Sequence, residues 1–588
     1  MISARLDGLD QVSHDVCVVG AGTVGIVLAL ELARRGRTVL LLESGAAKAT
    51  QDAQRLADAE IVNPHNHVPM DIAVARQLGG ASNLWGGRCV AMEPFDFKPR
   101  AAVPYSGWPI GFDNVAPHLE AACEYLSCGP AVFDDPLPGI DAAGDGFLCA
   151  RLERWSKAPR LGAVYWRALR DHPRIDLRLQ ATAVKLELAG NGQVTRVHVR
   201  GPGGTSAAFT PQYLVLTAGG LENARLLLAT QRHYPGSFGG ENGPLGRYYM
   251  GHLYGLAAQM TIHSPALDAG LGYYLKDGTY VRRRFTPSPV LQQRMGLANS
   301  AFWPDYPPIY DPIHANGILS FAYLSLSVPW IGRRIVVESI RRHYVGPTGQ
   351  TRWLPHVKNV LRDAWRTGVF IPQFVYRHYV ANPRMPGFFQ RNAPRRYSVR
   401  FHAEHLPNPE SRVTLIRATD SLGLPRLKID FRYTEADAGL LLRAHGCFGE
   451  WLQRNGLGTL SWDVPEQERV AHVIDQCYDG HHQIGLTRMS GGPRGGVVDA
   501  DCRVFGTPNL FVAGSSVFPT SAEANPTLLA ITLVIRLAGH LAAMLERHPG
   551  SDIVHGARAP ACHSETVEAV SSQGTLLSGC CLDGSSAK

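Results

Sequence analysis

The sequence predicts an α/β fold: a parallel-sheet domain assembled from separated stretches, with an α+β domain inserted into it. Three observations predict this. A strand–turn–helix–strand unit lies at Asp15–Gly45. Apolar strands that run into small-residue turns and then helices return at Tyr213–Leu228 and at Asn509–Met544. Between those returns, from Leu253 to about Val473, the periodicity is mixed.

The opening unit carries the most chemistry. Val16–Val19 is a short β-branched strand, followed by Gly20-Ala21-Gly22-Thr23-Val24-Gly25, an apolar helix from Ile26 to Arg35, and a second strand, Thr38–Leu42, ending on Glu43. In that context GxGxxG reads as a Rossmann-like dinucleotide site. Gly20 permits the tight turn, Gly22 lets backbone approach a pyrophosphate, and Gly25 lets helix and strand pack closely. The helix start offers free N–H groups and a partial positive charge to phosphates. Glu43, 23 residues after Gly20 and at a strand end, suits a ribose diol.

Next in order, Leu78-Gly79-Gly80-Ala81-Ser82-Asn83-Leu84-Trp85-Gly86-Gly87-Arg88 is too glycine-rich for a helix or strand interior. It reads as backbone lying flat against a large group. Residues from about Ala101 to Arg174 look helical and mixed. Leu177–Gly201 alternates as a β-meander with a hairpin at Asn191-Gly192. The strand Tyr213–Ala218 enters Gly219-Gly220 and then a helix. In the mixed region, strands are expected at Leu256–Ile262, Ser398–His405, Arg412–Ile416 and Arg426–Phe431, and a helix at Glu435–Arg454. Asn509–Ala513 is a buried strand, with Gly514-Ser515-Ser516 as its turn. Asn525, as N-cap, with Pro526 and Thr527 then opens a long apolar helix.

With 588 residues and 45% hydrophobic content, the chain is long enough for several structural units. Met1–His14 carries Arg5, Asp7 and Asp10 and lacks the apolar core of a signal peptide. The apolar stretches around Val16–Leu30 and Pro526–Ile535 read as too short or too glycine-broken to span a bilayer. Eleven scattered cysteines without metal-ligand spacing point to reduced thiols and a cytoplasmic protein. The net charge of +8 is concentrated: Pro329–Arg400 holds thirteen arginines, one lysine and only two acids, among Trp330, Trp353, Trp365, Phe370, Phe374, Tyr376 and Tyr379. Such a segment reads as a solvated cap or a subunit contact before a peripheral membrane contact. Nucleic acid is not expected as a partner, because no reading module accompanies the charge.

Tyr478-Asp479-Gly480-His481-His482-Gln483-Ile484-Gly485 precedes the last strand–helix unit. A neutral imidazole there suits removal of a hydroxyl proton. Two adjacent histidines are equally an ordinary loop pair. The Asn525 carboxamide can hydrogen-bond an alcohol oxygen, although an N-cap role alone would explain it.

Taken together, GAGTVG with Glu43, LGGASNLWGGR, TAGGLENARLLL, His482-Gln483-Ile484-Gly485-Leu486-Thr487 and VVDADCRVFGTPNLFVAGSSVFPTSAEANPT resemble the glucose–methanol–choline (GMC) flavoprotein oxidoreductases. The pattern is most similar to the pyranose 2-oxidase branch and its bacterial relatives. The resemblance implies FAD, with Gly20, Gly22, Gly25 and Glu43 at its ADP half and Gly79, Gly80, Asn83 and Gly219 nearby. Gly514, Ser515, Pro526 and Thr527 are expected along it on the returning unit. His482 matches the family's proton-accepting histidine, Asn525 matches the second active-site position, and His481 is a weaker candidate. Leu84 stands where fungal pyranose oxidases tether the flavin through a histidine, which implies non-covalent FAD. Gly86 replaces their threonine near flavin N5.

The implied layout is an FAD-binding domain over 12–100, 176–252 and 476–547. A helical segment at 101–175, a substrate domain at 253–475 with the basic stretch 329–400, and a disordered tail at 548–588 complete it. The implied activity is oxidation of a CH–OH group on a sugar, glycoside or polyol. The hydride goes to FAD, and the electrons leave to oxygen, a quinone or a carrier protein. Two other readings stay open: a different flavin-dependent dehydrogenation, of desaturase or ketosteroid type, or a flavin-binding membrane or assembly subunit working through the arginine-rich segment.

Overall fold

In the computed structural model, the residues described are 2–3, 6–11, 13–140, 144–336, 338–345, 353–387 and 389–547. The tail expected at 548–588 lies outside them. The chain opens with β1 (Val16–Val19), α1 (Thr23–Arg34) and β2 (Val39–Glu43). After a long excursion come β3 (Ile175–Leu179), β4 (Tyr213–Leu216) and α2 (Gly220–Gln231). The inserted part contains β5 (His252–Ile262), β6 (Ser300–Asp305), α3 (Gly317–Ser327), α4 (Trp353–Arg362), α5 (Ala364–Val375), β7 (Arg396–Glu404), α6 (Glu435–Arg454) and β8 (Gly458–Trp462). The chain returns through β9 (Leu510–Val512) and α7 (Thr527–Arg547). Met1–Met544 form one unit, and of the second, Leu545–Lys588, only the end of α7 is described.

The first sheet is parallel, ordered Ile2–Ser3, β3, β2, β1, β4, β9. Every residue of β1, β2, β4 and β9 is buried, as parallel strands covered on both faces require. The strand order reverses direction beside β1, so a crevice opens at the carboxyl ends of β1 and β4, the switch point where such sheets bind ligands.

β3 corrects one expectation. Its alternating burial resembles the meander that follows, but it pairs parallel with β2, Ile175 opposite Val39. The antiparallel meander is Thr182–Leu188, Val194–Arg200 and Ser206–Phe209. Gly192 turns its hairpin with φ +81°.

The inserted sheet is antiparallel, ordered β6, β7, β5, β8. α6 packs across it because Ala438, Leu441, Phe448 and Leu452 recur at helical spacing and bury against Phe302, Phe401 and Met260. Thr434 and Asp437 form a capping box at its start. α3, α4 and α5 form a helical cap with its own small core of Ile309, Leu319, Tyr323 and Leu326. α7 also corrects a reading. Its 21 residues are long and apolar enough to cross a membrane by length and composition, but 72% of that apolar stretch is buried inside the molecule.

Candidate functional site

The crevice is built from backbone. Gly20 has φ +104°, and a Cβ there would sit 2.6 Å from Ala218 Cα. A Cβ on Gly25 would sit 1.9 Å from the Gly20 carbonyl, so only glycine lets α1 rest on the turn. The glycine-rich loop then closes over this turn. Gly79 N–H donates to Ala21 C=O at 2.8 Å, and Gly80 faces Gly22 backbone to backbone. No side chain caps the first turn of α1 and no acid lies in it. Its N–H groups are available to an anion.

Gly20, Gly22, Glu43, Gly80, Gly219, Gly514, Ser515, Pro526 and Thr527 line one continuous cavity, together with His481, His482 and Gln483. This lining fits FAD. A Cβ on Gly514 would meet nothing within 4 Å, and one on Gly22 nothing nearer than 3.9 Å, so both glycines leave space a large flat ligand can fill. Glu43 is buried at the end of β2, accepting from Ala21 N–H at 2.9 Å and Gly45 N–H at 2.7 Å. Burial raises its pKa, against the pull of those two N–H groups and of Arg76. Three residues of the expected set brace the backbone behind the cavity rather than lining its wall. Gly25 and Gly79 are packing points, and Asn83 Nδ2 donates to Leu78 and Gly80 carbonyls at 3.1 and 3.0 Å.

At one end of the cavity, His482 and Asn525 meet. His482 Nδ1 lies 2.9 Å from Asp479 Oδ2, and His482 Nε2 lies 3.0 Å from Asn525 Nδ2. A carboxylate only accepts, so Nδ1 carries the proton and Nε2 presents a lone pair. Arg88 Nε donates to Asn525 Oδ1 at 2.5 Å, which turns the amide nitrogen toward the imidazole. The Asn525 carboxamide therefore bonds these two side chains, and α7 starts at Thr527. Asp479 is itself held by N–H groups of Gly480, His481, His482 and His252 at 2.7–3.1 Å. Burial alone would raise the Asp479 pKa, but the charge and hydrogen bond of His482 hold it well below the usual carboxylate range. His481 contributes its backbone N–H to this turn and is among the residues lining the cavity.

Behind this pair sit two residues that sequence reasoning did not single out. His252 on β5 and His402 on β7 stack with centroids 4.4 Å apart, and His252 Nδ1 lies 3.0 Å from His482 Nδ1. Burial, and then neighbouring cations or imidazoles, lower both pKa values well below 6.5, so both rings are neutral. Arg88 and Asp479 were also missed as site residues. Asp479 had a local signal, an acid three residues before His482 in a glycine turn. His252 and His402 had none, because the sheet register alone brings them together.

A second cavity, about 470 Å³, has Gly86 and Arg88 in its lining, and Arg88 also bonds Asn525 beside His482. Its floor includes Arg282, Asp305, Trp303 and Tyr254, and its roof is supplied by α3, α5, His378, Tyr379, Met385 and Phe389. Arg282 stacks on Trp303 at 4.5 Å and is paired with the buried Glu153 at 2.7 Å. The lining is therefore aromatic with a few fixed charges.

Residues 407–533 match the family model described as GMC oxidoreductase, and residues 15–261 match the one described as FAD dependent oxidoreductase. The chain is 23% identical to 6'''-hydroxyparomomycin C oxidase of Streptomyces lividus over 93% of this chain and 96% of that protein. Over a shorter stretch, 21% of this chain and 23% of the relative, it is 36% identical to C-glycoside 3-oxidase of Arthrobacter globiformis. A solved fungal aryl-alcohol oxidase shares the fold with a TM-score of 0.51 and 15% identity, over 91% of this chain and 99% of that one.

Proposed function

We propose that this chain, which belongs to the GMC oxidoreductases and uses FAD to oxidise alcohol CH–OH groups, acts on a ring hydroxyl of a sugar or glycoside with His482 as the proton acceptor. The observation that carries this is the His482 Nε2 lone pair facing Asn525 Nδ2 at 3.0 Å on the wall of the dinucleotide cavity. An alcohol entering between them donates its proton to Nε2 and accepts from the amide. Both bonds tighten as the oxygen gains negative character. Asp479 keeps the imidazole in the receptive tautomer and stabilises the imidazolium that forms. Arg88 keeps the amide from turning over. Bound FAD supplies the two-electron acceptor for the carbinol hydride.

The sugar assignment is supported by two relatives, one named for a C-glycoside and the other for 6'''-hydroxyparomomycin C. The second cavity's aromatic lining supports it too, since sugar rings and ring-bearing aglycones both pack against aromatic side chains. The test is spectroscopic. The purified protein should show a flavin spectrum that mono- and aryl-glycosides bleach without oxygen. His482→Ala should keep the colour and lose the bleaching, and unimpaired reduction in that variant removes the assignment. Leu84, in place of a tethering histidine, predicts that acid precipitation releases all the flavin to the supernatant. An oxygen electrode, with an artificial acceptor as control, identifies where the electrons go.

A further inference from the structure

More than half of the large apolar side chains exposed among the described residues lie between Trp330 and Val380. They are arranged rather than scattered. On α4, Leu354, Val357 and Leu361 recur at helical spacing, and Trp365, Val369, Tyr376 and Val380 carry the stripe along α5 and the turn beyond it. Leu354 and Trp365 are each 84% exposed and Leu361 is 72% exposed. The opposite face already has its partners: His356 is fully buried against Ser320 of α3, and Phe370, Ile371 and Phe374 line the second cavity. The stripe is thus a second apolar face on helices whose first is satisfied, which a solvated cap does not need.

Charge identifies the occupant. Exposed Lys358, Arg362, Arg366 and Arg377 flank the stripe, and the only acid between Trp353 and Val380 is Asp363, 4.0 Å from Arg366. A symmetric second copy would set these four cations against themselves. Anionic lipid headgroups would meet them, while the leucines and valines enter the acyl boundary and Trp353, Trp365 and Tyr376 sit at the polar interface. We propose that the outer face of α4 and α5 docks the enzyme in the plane of an anionic bilayer surface. The cavity behind α5 then faces the lipid across a single helix.

The test uses the full-length, flavin-loaded protein in flotation with vesicles of phosphatidylglycerol and phosphatidylcholine or of phosphatidylcholine alone, with sedimentation to follow oligomeric state. The anionic vesicles should carry roughly tenfold more protein, with the excess lost at about 0.5 M salt. Leu361→Glu/Trp365→Glu should stay in the soluble fraction with the flavin spectrum and sedimentation of the unaltered protein. Failure of the unaltered protein to float, or flotation of the double variant, overturns the proposal. A double variant that sediments as a smaller species also overturns it, since the face would then be covered by a second copy.

Discussion

At the residue scale, the proposed chemistry depends on which ring nitrogen of His482 holds a proton. Replacing the imidazole in His482→Ala should lower kcat/KM by about 10²–10⁴-fold, the range typical for losing a general base, while flavin content is unchanged. Asp479→Asn tests the tautomer. An amide at that position can donate to Nδ1, moving the proton to Nε2 and removing the lone pair from the alcohol. Rapid-reaction reduction by a glycoside should slow by at least about 10²-fold in this variant, with Asp479→Glu partly restoring it. Of this centre, His482 and Asn525 were singled out from the sequence through the family resemblance, since local signals alone allowed an ordinary loop pair and a helix N-cap. His252 and His402 were not. They lie 150 residues apart on strands whose pairing sets Tyr254 opposite His402, and no local pattern announces that register.

At the element scale, the two glycines of the first turn should behave differently, and the difference isolates binding from folding. Gly25→Ala puts a Cβ 1.9 Å from the Gly20 carbonyl and should cost about 1–3 kcal/mol or more in thermal or denaturant unfolding. Gly22→Ala has room, with φ −78° and no atom nearer than 3.9 Å. Its apoprotein should unfold within about 0.5 kcal/mol of the parent. Its methyl would occupy the space of the dinucleotide, so flavin titration should show weakened uptake. The parallel sheet was readable because fully buried strands leave unbroken apolar runs flanked by glycine. β3 was misread because an alternating strand looks the same whether its neighbours run parallel or antiparallel. The helical cap was hardest to read. Apolar side chains lie on its outer face as well as its inner one, so no one-sided stripe marked α3, α4 or α5 as helices in the sequence.

At the scale of the whole molecule, four buried imidazoles set a direction for acid stability. Burial pushes His67 and His445 down to about 4, and His252 and His402 are lowered further below their ordinary value. The unfolded chain binds these protons from about pH 6.5 downward and the native chain does not, so this stability is full above that pH and declines as pH falls toward 4. Asp479 adds to the same side: its depressed pKa contributes stability above about 3.9, lost as pH falls through the lower native value. The melting temperature should therefore drop steadily between pH 6.5 and 4, and less steeply in His445→Gln. Arg88 extends the argument to how one chamber informs the other. Its guanidinium touches Asn525 through Nε, Glu153 through a second nitrogen at 3.3 Å, and lies over the Trp303 ring at 5.5 Å. A small aromatic acid such as benzoate, wedged against Trp303, would draw that fork away and release the amide. It should then inhibit competitively against alcohols without ever meeting the imidazole, a poison that works by loosening a bolt on the far side of the door.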